Sequence, residues 1–268
     1  MTAPTFYLGA HMPHWLALTD VPLFVSHRRL AGRKTLPRAL GPWALDSGGF
    51  TELQMFGRWV TTPAEYVAAV RRYRDEIGQL QWAAPQDWMC EPVVIAGGRV
   101  GPVTFAGTGL SVDEHQRRTV QNLLELRELA PDLPFAPVLQ GYTPADYERC
   151  ADMYAAAGID LAAEPVVGIG SVCRRQASSE IADLIHRFAE RGIALHGFGV
   201  KTLGLAEAAA GLASADSMAW STRGRHVKGC TSSHVTEANC LRFALAWRDG
   251  ALTAIERGLV APRQQGLW

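Results

Sequence analysis

The sequence predicts an α/β protein of the TIM (β/α)8 barrel type, and three observations support this prediction. The chain has 268 residues, close to the roughly 250 residues of one such barrel. Short apolar runs alternate with amphipathic helical segments along most of the chain. Polar residues follow the apolar runs, where a parallel barrel builds its functional face. We therefore expect a single domain over residues 1–268.

Eight apolar runs are the strand candidates. They lie near 5–9, 22–26, 42–46, 80–86, 134–139, 161–167, 193–198 and 214–219. Strands that alternate with helices favour a parallel sheet covered on both faces, and a closed barrel is its common form at this length. The periodicity also fits an open doubly wound sheet. One of the first two strands can alternatively form a lid or hairpin outside the barrel.

The helices are indicated by their first residues. Thr62 and Thr143 each precede a proline and are followed three residues later by an acid, the pattern of a capped helix start. Ser111 with Glu114 opens a third helix, and a fourth runs from Ser178 to Gly192. Two more are expected over 203–210 and about 236–247. Between 91 and 110 the glycine-rich sequence predicts a flexible loop.

Composition limits the class of protein. Apolar residues make up 48% of the chain and charged residues 19%, so the chain should fold into a globular protein. It contains no membrane span and no export signal, and its odd number of scattered cysteines argues against a disulfide framework. A cytoplasmic protein with reduced thiols is expected.

Net charge is zero, but the basic residues are unevenly distributed. Residues 26–38 contain five basic side chains and no acid, and residues 217–236 also lack acids. Such segments are most often solvated surface. They indicate a nucleic-acid partner only if the fold brings them to one rim.

Polar side chains stand at the end of six strand candidates. The residues concerned are Asp46, Asp87, Gln140, Gly168 to Ser171, His196 and Asp216. Each alone has a simpler interpretation as a turn, a helix cap or a core histidine. In a barrel, however, all six groups face one cavity. Together they predict a site with three carboxylates, an amide and an imidazole.

In this order, the surrounding segments resemble the tRNA-guanine transglycosylase superfamily. The resemblance is closer to its DNA-acting branch, the DNA 7-deazaguanine transglycosylase (DpdA) family. The resembling segments are LDSGGF (45–50), APQDWMCEP (84–92), PVLQGYTPADY (137–147), VGIGSVCRRQ (167–176), LHGFGVKTLGL (195–205) and SADSMAWS (214–221). They span most of the chain.

The resemblance implies a base-exchanging pentosyltransferase that replaces guanine in DNA with a 7-deazaguanine, without a diffusible cofactor. Asp216 would be the nucleophile that forms a covalent glycosyl intermediate, and Asp46 the general acid and base. Asp87 and Gln140 would bind the guanine edge together with the backbone of Gly168, Ile169 and Gly170. Phe50 and His196 would lie against the two faces of the base. The target guanine must be flipped out or single-stranded.

The resemblance also places nucleic-acid contacts and a metal. Arg223, Arg225 and Lys228 would hold phosphates beside the nucleophile, and Arg174 and Arg175 are further candidates for nucleic-acid contact. Arg174 and Arg175 depart from the tRNA-acting enzymes, which carry a glycine and an acid near this point. With Cys173, they favour a neutral substituent such as the nitrile of 7-cyano-7-deazaguanine.

A zinc-binding segment is expected at about 224–242. His226, Cys230, His234 and Cys240 offer two imidazoles and two thiolates, a complete set for a tetrahedral structural zinc. The family carries a structural zinc at the corresponding place. This chain departs from the usual pattern, because Glu237 stands where closely spaced cysteines would need a thiol.

Three other functions fit parts of this pattern. One is the same chemistry on tRNA, disfavoured because few residues follow Cys240 to form an added RNA-binding domain. Another is a non-catalytic subunit that binds nucleic acid or base, against which the pair Asp46 and Asp216 argues. A metal-dependent hydrolase would place its ligands on several strand ends rather than in one segment. Helper proteins that open the duplex are possible partners of the enzyme.

Overall fold

The computed structural model describes residues 3–172, 179–200 and 208–260. Ten strands occur in these ranges. They are β1 (Thr5–Ala10), β2 (Leu23–Ser26), β3 (Trp43–Asp46), β4 (Leu80–Ala83), β5 (Gly98–Val100), β6 (Val103–Phe105), β7 (Val138–Leu139), β8 (Val167–Ile169), β9 (Leu195–Gly197) and β10 (Ser214–Ser217). Eight of them form one parallel sheet, and β5 and β6 form a separate antiparallel hairpin.

Nine α-helices lie in the described ranges, and most of them follow strands of the large sheet. They are α1 (His27–Leu30), α2 (Gly49–Phe56), α3 (Pro63–Ile77), α4 (Pro92–Ala96), α5 (Val112–Leu129), α6 (Pro144–Ala156), α7 (Ser179–Glu190), α8 (Ala219–Gly224) and α9 (Leu241–Val260). None of these helices is both long enough and apolar enough to cross a membrane.

The large sheet curls into the predicted barrel. Its strand order is β4-β3-β2-β1-β10-β9-β8-β7, and every neighbouring pair is parallel. The two edges meet at a parallel bridge between Ala83 and Phe135. There the Ala83 N–H donates to the Pro134 carbonyl, and the Ala136 N–H donates to the Ala83 carbonyl. The TIM-type fold class is therefore confirmed, and both of the first two strands belong to the barrel.

The alternation of side chains along the strands creates two apolar layers. Tyr7, Phe24 and Trp82 point into the barrel and fill its interior. Their chain neighbours point outward and pack under the helices, as Leu8 and Leu23 do. Because successive residues of a strand face opposite sides, one short run supplies both layers. Above this apolar filling, polar residues such as Asp46 and Asp216 stand at the carboxyl ends of the strands.

The predicted caps position the helices against the barrel. Thr62 and Thr143 each form a complete capping box with the acid three residues later. The Ser111 hydroxyl accepts a hydrogen bond from the Glu114 N–H. Such caps satisfy backbone donors that the first helical turn leaves without a partner. Ser178 and residues 203–207, which belong to two other predicted helices, lie outside the described residues.

Two sequence expectations about local structure are wrong. The strand expected at 161–167 begins only at Val167, because the Asp160 carboxylate accepts from the Ala162 N–H in a turn and Pro165 lacks the N–H that a strand needs. The loop expected at 91–110 contains helix α4 and the β5–β6 hairpin. The glycines that suggested a flexible loop instead form the turns of this small structure, with positive φ at Gly97 and Gly101.

Candidate active site

A cavity of about 650 Å³ opens at the carboxyl ends of the barrel strands. It is lined by seven of the residues that the sequence singled out: Asp46, Phe50, Asp87, Gln140, Gly170, Ser171 and Asp216. The two acids expected to act in catalysis thus face one space. The cavity is large enough for a nucleobase with its sugar, within the usual range of ligand sites.

Asp216 is held by two contacts to one of its carboxylate oxygens. The Gly199 N–H donates to Oδ1 at 2.8 Å, and Nε2 of His196 lies 3.4 Å from the same oxygen. No hydrogen bond to Oδ2 is found in the described part of the chain. Asp216 is 6% exposed and lines the cavity.

His196 lies below the cavity, in the interior of the barrel. Its side chain is fully buried among the rings of Tyr7, Phe24, Trp82 and Phe198. Register explains its contacts, because His196 on β9 pairs with Ser214 on β10, and Ser214 and Asp216 face the same side of β10. The imidazole therefore reaches Ser214 Oγ through Nδ1, at 2.9 Å, and Asp216 through Nε2. His196 does not line the cavity, whereas Phe198 does.

Asp46 ends strand β3 on another side of the cavity. Burial raises the pKa of its carboxyl group, and the negative charge of Asp216 raises it further, while hydrogen bonds from the Ser26 hydroxyl and the Gly48 N–H oppose this increase. Gly48 has a φ of 81°, a conformation that glycine adopts without strain. The glycine after the Asp-Ser pair therefore allows the chain to turn back and donate to the carboxylate.

Asp87 and Gln140 form a buried pair on the floor of the cavity. The Gln140 amide Nε2 donates to Asp87 Oδ2, and Ser47 Oγ lies 3.4 Å from Asp87 Oδ1. Burial raises the pKa of Asp87 to about 7, and the charge of Asp46 also raises it, although the Gln140 hydrogen bond opposes the change. Near neutral pH this carboxyl group is therefore accessible both as a donor and as an acceptor.

Ser171 connects this pair to a further acid that the sequence analysis did not single out. Its hydroxyl lies 2.8 Å from both Gln140 Oε1 and Glu91 Oε2 and accepts from the Cys90 N–H. Ser171 has a φ of 57°, a left-handed conformation that costs a non-glycine residue about 1 kcal/mol or more. The contacts of its hydroxyl hold it there. Glu91 and Ser171 both line the cavity.

The three consecutive residues whose backbone was predicted to contact the base do not all reach the cavity. Gly168 and Ile169 belong to strand β8, and Ile169 is part of the core beneath the helices. Only Gly170 lines the cavity. A Cβ atom on Gly170 would overlap the Gln140 amide, so a glycine at this position leaves room for that side chain.

Phe50 stands at the mouth of the cavity in the first turn of α2. Its ring is 39% exposed and packs edge-on against Phe105 of the hairpin, with ring centroids 5.6 Å apart. The hairpin that replaces the expected loop thus supports an aromatic ring of the site.

The predicted phosphate-binding residues lie on exposed surface after β10. Arg223 belongs to α8, and Arg225 and Lys228 follow it. None of the three lines the cavity. Cys173, Arg174 and Arg175 lie outside the described residues. The basic segment 26–38 is evident in the sequence, but only the fold brings two of its members, Arg28 and Arg29, to the mouth of the cavity.

Near the carboxyl terminus, four side chains converge in a way that suits a metal ion. The ligand atoms of Cys230, His234, Glu237 and Cys240 all lie within 4.8 Å of one another. His226, which the sequence placed in this set, is exposed and outside the group. Glu237 takes its place because the short 3-10 helix Glu237–Asn239 brings its carboxylate next to Cys240. Glu237 is the residue that, in the sequence, occupies the position where closely spaced cysteines would need a thiol.

The distances within this group match a tetrahedral centre. Zn–S bonds of about 2.3 Å and Zn–N or Zn–O bonds of about 2.0 Å would place two sulfurs about 3.8 Å apart and N and O about 3.3 Å apart. The Cys230 and Cys240 sulfurs are 3.7 Å apart, and His234 Nε2 lies 3.4 Å from Glu237 Oε2. That buried Oε2 has no hydrogen-bond partner among the described residues, as expected of a ligand atom.

Comparison with known proteins identifies the family. The family model DpdA, described as DeoxyPurine in DNA protein A, matches residues 2–263. Comparison with curated proteins gave no match. The matched range includes every residue described above as lining the cavity or belonging to the four-ligand group. The chain therefore belongs to the DpdA family, which supports a role in DNA modification.

Proposed function

We propose that this protein exchanges a guanine in DNA for a 7-deazaguanine through a covalent aspartyl-glycosyl intermediate. The observation that carries the proposal is the presence of Asp46 and Asp216 in one cavity that also contains the Asp87–Gln140 pair. Two carboxyl groups in different environments suit a reaction that needs a nucleophile and a proton carrier. The family match supports the DNA-modifying role.

In the first step, Asp216 Oδ2 attacks C1′ of the target nucleotide. A C1′–O bond forms as the C1′–N9 bond breaks, and the electron pair of the broken bond stays with guanine. The leaving base takes a proton from Asp46. The contacts of Gly199 and His196 to Oδ1 orient the carboxylate so that Oδ2 faces the sugar.

In the second step, Asp46 acts as a base. It takes the proton from N9 of the incoming 7-deazaguanine, whose nitrogen attacks C1′ and releases the Asp216 carboxylate. The raised pKa of Asp46 suits this exchange, because a group that gives up and regains a proton works best with a pKa near the operating pH. Each turnover therefore restores both acids.

Recognition of the base falls to the floor and mouth of the cavity. Asp87 and Gln140 can accept from and donate to the guanine edge, and the Gly170 backbone completes that side. Phe50, exposed at the mouth, is placed to stack on the base. The target must leave its stack to enter, so the substrate is a flipped or single-stranded guanine, with duplex opening left to helper proteins.

The incoming base is proposed to carry a neutral substituent, such as the nitrile of 7-cyano-7-deazaguanine. This rests on Arg174 and Arg175 standing where the tRNA-acting enzymes carry a glycine and an acid. A competition assay with the aminomethyl base tests it. Equal incorporation of both bases would remove the proposal.

The four-ligand group is proposed as a structural zinc site held by Cys230, His234, Glu237 and Cys240. A zinc ion there would tie the segment after α8 to the start of α9, and four protein ligands would leave no position for a reacting water. The exposed cations Arg223, Arg225 and Lys228 precede this segment. We assign them to the DNA backbone.

The decisive experiment incubates the protein with single-stranded DNA and labelled 7-cyano-7-deazaguanine, followed by digestion to nucleosides and mass spectrometry. The labelled nucleoside should appear with the unaltered protein and with Asp249→Asn, a variant of an exposed acid on α9. Asp216→Asn should abolish it. Denaturation during turnover should leave DNA attached to Asp216 in the unaltered protein and in Asp249→Asn, and no attached DNA in Asp216→Asn. Incorporation by Asp216→Asn would refute the mechanism. Incorporation into tRNA alone would refute the choice of DNA.

A further inference from the structure

Two arginines at the cavity mouth have no role in the scheme above. Arg28 and Arg29 belong to α1, directly after strand β2, and both are exposed while lining the same cavity as Asp46 and Asp216. Within the described ranges, neither guanidinium group has an ion pair or a hydrogen bond. The acid-free segment 26–38 supplies no local counter-charge. An anionic ligand is therefore the natural partner of this pair.

The position of Arg28 is fixed by packing rather than by charge. A Cβ atom on Gly48 would lie 2.7 Å from Arg28 Cγ, so the aliphatic stem rests on the glycine turn that follows Asp46. Ser26, at the end of the same strand, donates its hydroxyl to Asp46. The end of β2 therefore places two groups at the site: the Ser26 hydroxyl donates to Asp46, the proposed proton carrier, and the Arg28 guanidinium lies at the mouth of the cavity.

The acids of the cavity are already engaged. Asp46 accepts from Ser26 and Gly48, Asp216 accepts from Gly199, and Asp87 accepts from Gln140. The fourth acid, Glu91, accepts from the Ser171 hydroxyl. The two guanidinium groups are thus left for a ligand that enters from solvent. A planar guanidinium binds the oxygens of a phosphate in a two-pronged geometry, which makes arginine suited to this role.

We propose that Arg28 and Arg29 bind the DNA phosphate on one side of the target nucleotide, opposite the side held by the basic residues after β10. This rests on the proposed function. Strands β2 and β10 both flank β1, so their ends lie about 10 Å apart along the barrel wall. A nucleotide within a strand carries a phosphate on each side of its sugar. With the sugar between Asp46 and Asp216, one phosphate faces the α1 side and the other faces the α8 side.

Binding, rather than exchange, tests this directly. The probe is a fluorescently labelled single-stranded oligonucleotide with one guanine, followed by anisotropy over a range of salt concentrations. Arg28→Met keeps the aliphatic stem on Gly48 and removes the charge, and Arg29→Ala removes the second charge. The double variant should bind roughly tenfold or more weakly, with the salt slope reduced by about 0.7, because one phosphate contact is lost. Lys34→Ala, which removes a nearby charge that does not line the cavity, should bind normally.

Neutral linkages identify the phosphate. Oligonucleotides with a methylphosphonate either 5′ or 3′ of the target guanosine should each bind the unaltered protein more weakly. With the methylphosphonate on the side that Arg28 and Arg29 contact, the affinity of the double variant should fall no further. With the methylphosphonate on the other side, its affinity should fall as much as that of the unaltered protein. Equal further losses with both linkages, unchanged affinity of the double variant, or failure of the unaltered protein to bind would overturn the proposal. Equally tight binding of the mononucleotide dGMP would overturn the assignment to a strand.

The outcome is separable from that of the proposed function. If the linkage-specific pattern appears but no labelled base enters the DNA, the phosphate site stands and the exchange reaction fails. If exchange occurs with the double variant at unchanged KM for DNA, the exchange reaction stands and this phosphate site fails. Circular dichroism of each variant confirms that the differences come from folded protein.

Discussion

Replacing Asp87 by asparagine should stabilise the protein, and by an amount that grows with pH. The folded pKa of Asp87 is about 7, against 3.8 for the exposed group. A raised folded pKa means that the unfolded chain releases the proton first. The folded state therefore loses stability as the pH rises from about 4 to about 7. At about 1.4 kcal/mol per unit, the full loss is about 4 kcal/mol.

Most of this loss falls between pH 5 and pH 8. At pH 5 the penalty is about 1.5 kcal/mol, and at pH 8 it is complete, so the stability gained by Asp87→Asn should increase by about 3 kcal/mol between these values. Asparagine has nearly the same shape and can still accept from Gln140. Urea unfolding of both proteins at the two pH values measures the difference.

The control is Asp132→Asn. Hydrogen bonds from Arg74 and Arg71 lower the pKa of Asp132, so this acid is ionised in both the folded and the unfolded state throughout pH 5 to 8. The effect of its replacement should not change over that interval. If Asp87→Asn behaves like this control, with an increment that differs by less than about 1 kcal/mol between the two pH values, the buried-acid reasoning is wrong.

Three further outcomes are expected. His196→Phe fills the same space but removes the imidazole contact to Asp216 Oδ1 and leaves only the Gly199 N–H to hold that oxygen. The kcat for exchange should therefore fall roughly ten- to a hundredfold with KM for the base unchanged; a similar change in KM would mean that His196 contacts the base. Cys240→Ser should lose bound zinc, as measured by elemental analysis, and should have a lower Tm, whereas His226→Ala should change neither property. Loss of zinc from His226→Ala would instead support the ligand set inferred from the sequence. Gly170→Ala should raise KM for the base or lower stability by about 1–3 kcal/mol, because the neighbouring glutamine amide leaves no room for a methyl group; wild-type values for both would contradict the packing.

The barrel itself could be predicted because its determinants are local. Short apolar strands and readable caps at Thr62, Ser111 and Thr143 recur along the chain, and each is a property of a few neighbouring residues. The errors occurred where local signals were ambiguous. The apolar run near 161–167 is interrupted by a turn that competes with a strand, and glycines mark the turns of a hairpin as readily as those of a loop. The single-domain assignment stays a prediction.

The site was predictable mainly in its strand-end residues. Asp46, Asp87, Gln140 and Asp216 were found because they follow apolar runs, and the structure places all four on one cavity. The contacts of His196 inside the barrel depend on the register between β9 and β10, and the number of residues between two strands does not determine their register. The carboxylate of Glu237 likewise joins the four-ligand group through a 3-10 turn. In both cases the residue stood out in the sequence, but the residues that it contacts in the fold could not be read from the sequence.

Curvature of the sheet is what brings the two catalytic candidates together. Asp46 on β3 and Asp216 on β10 are separated by β2 and β1, three strand spacings or about 14 Å along the wall of the barrel. In a flat sheet their carboxylates would stand side by side at that distance and could not face one sugar. In the closed barrel both point inward. Burial raises the pKa of Asp46, and the charge of Asp216 adds to this increase. The same closure turns the ends of β2 and β10 towards one opening, and this is why we propose that a DNA strand across that opening is held by basic groups on either side of the acids.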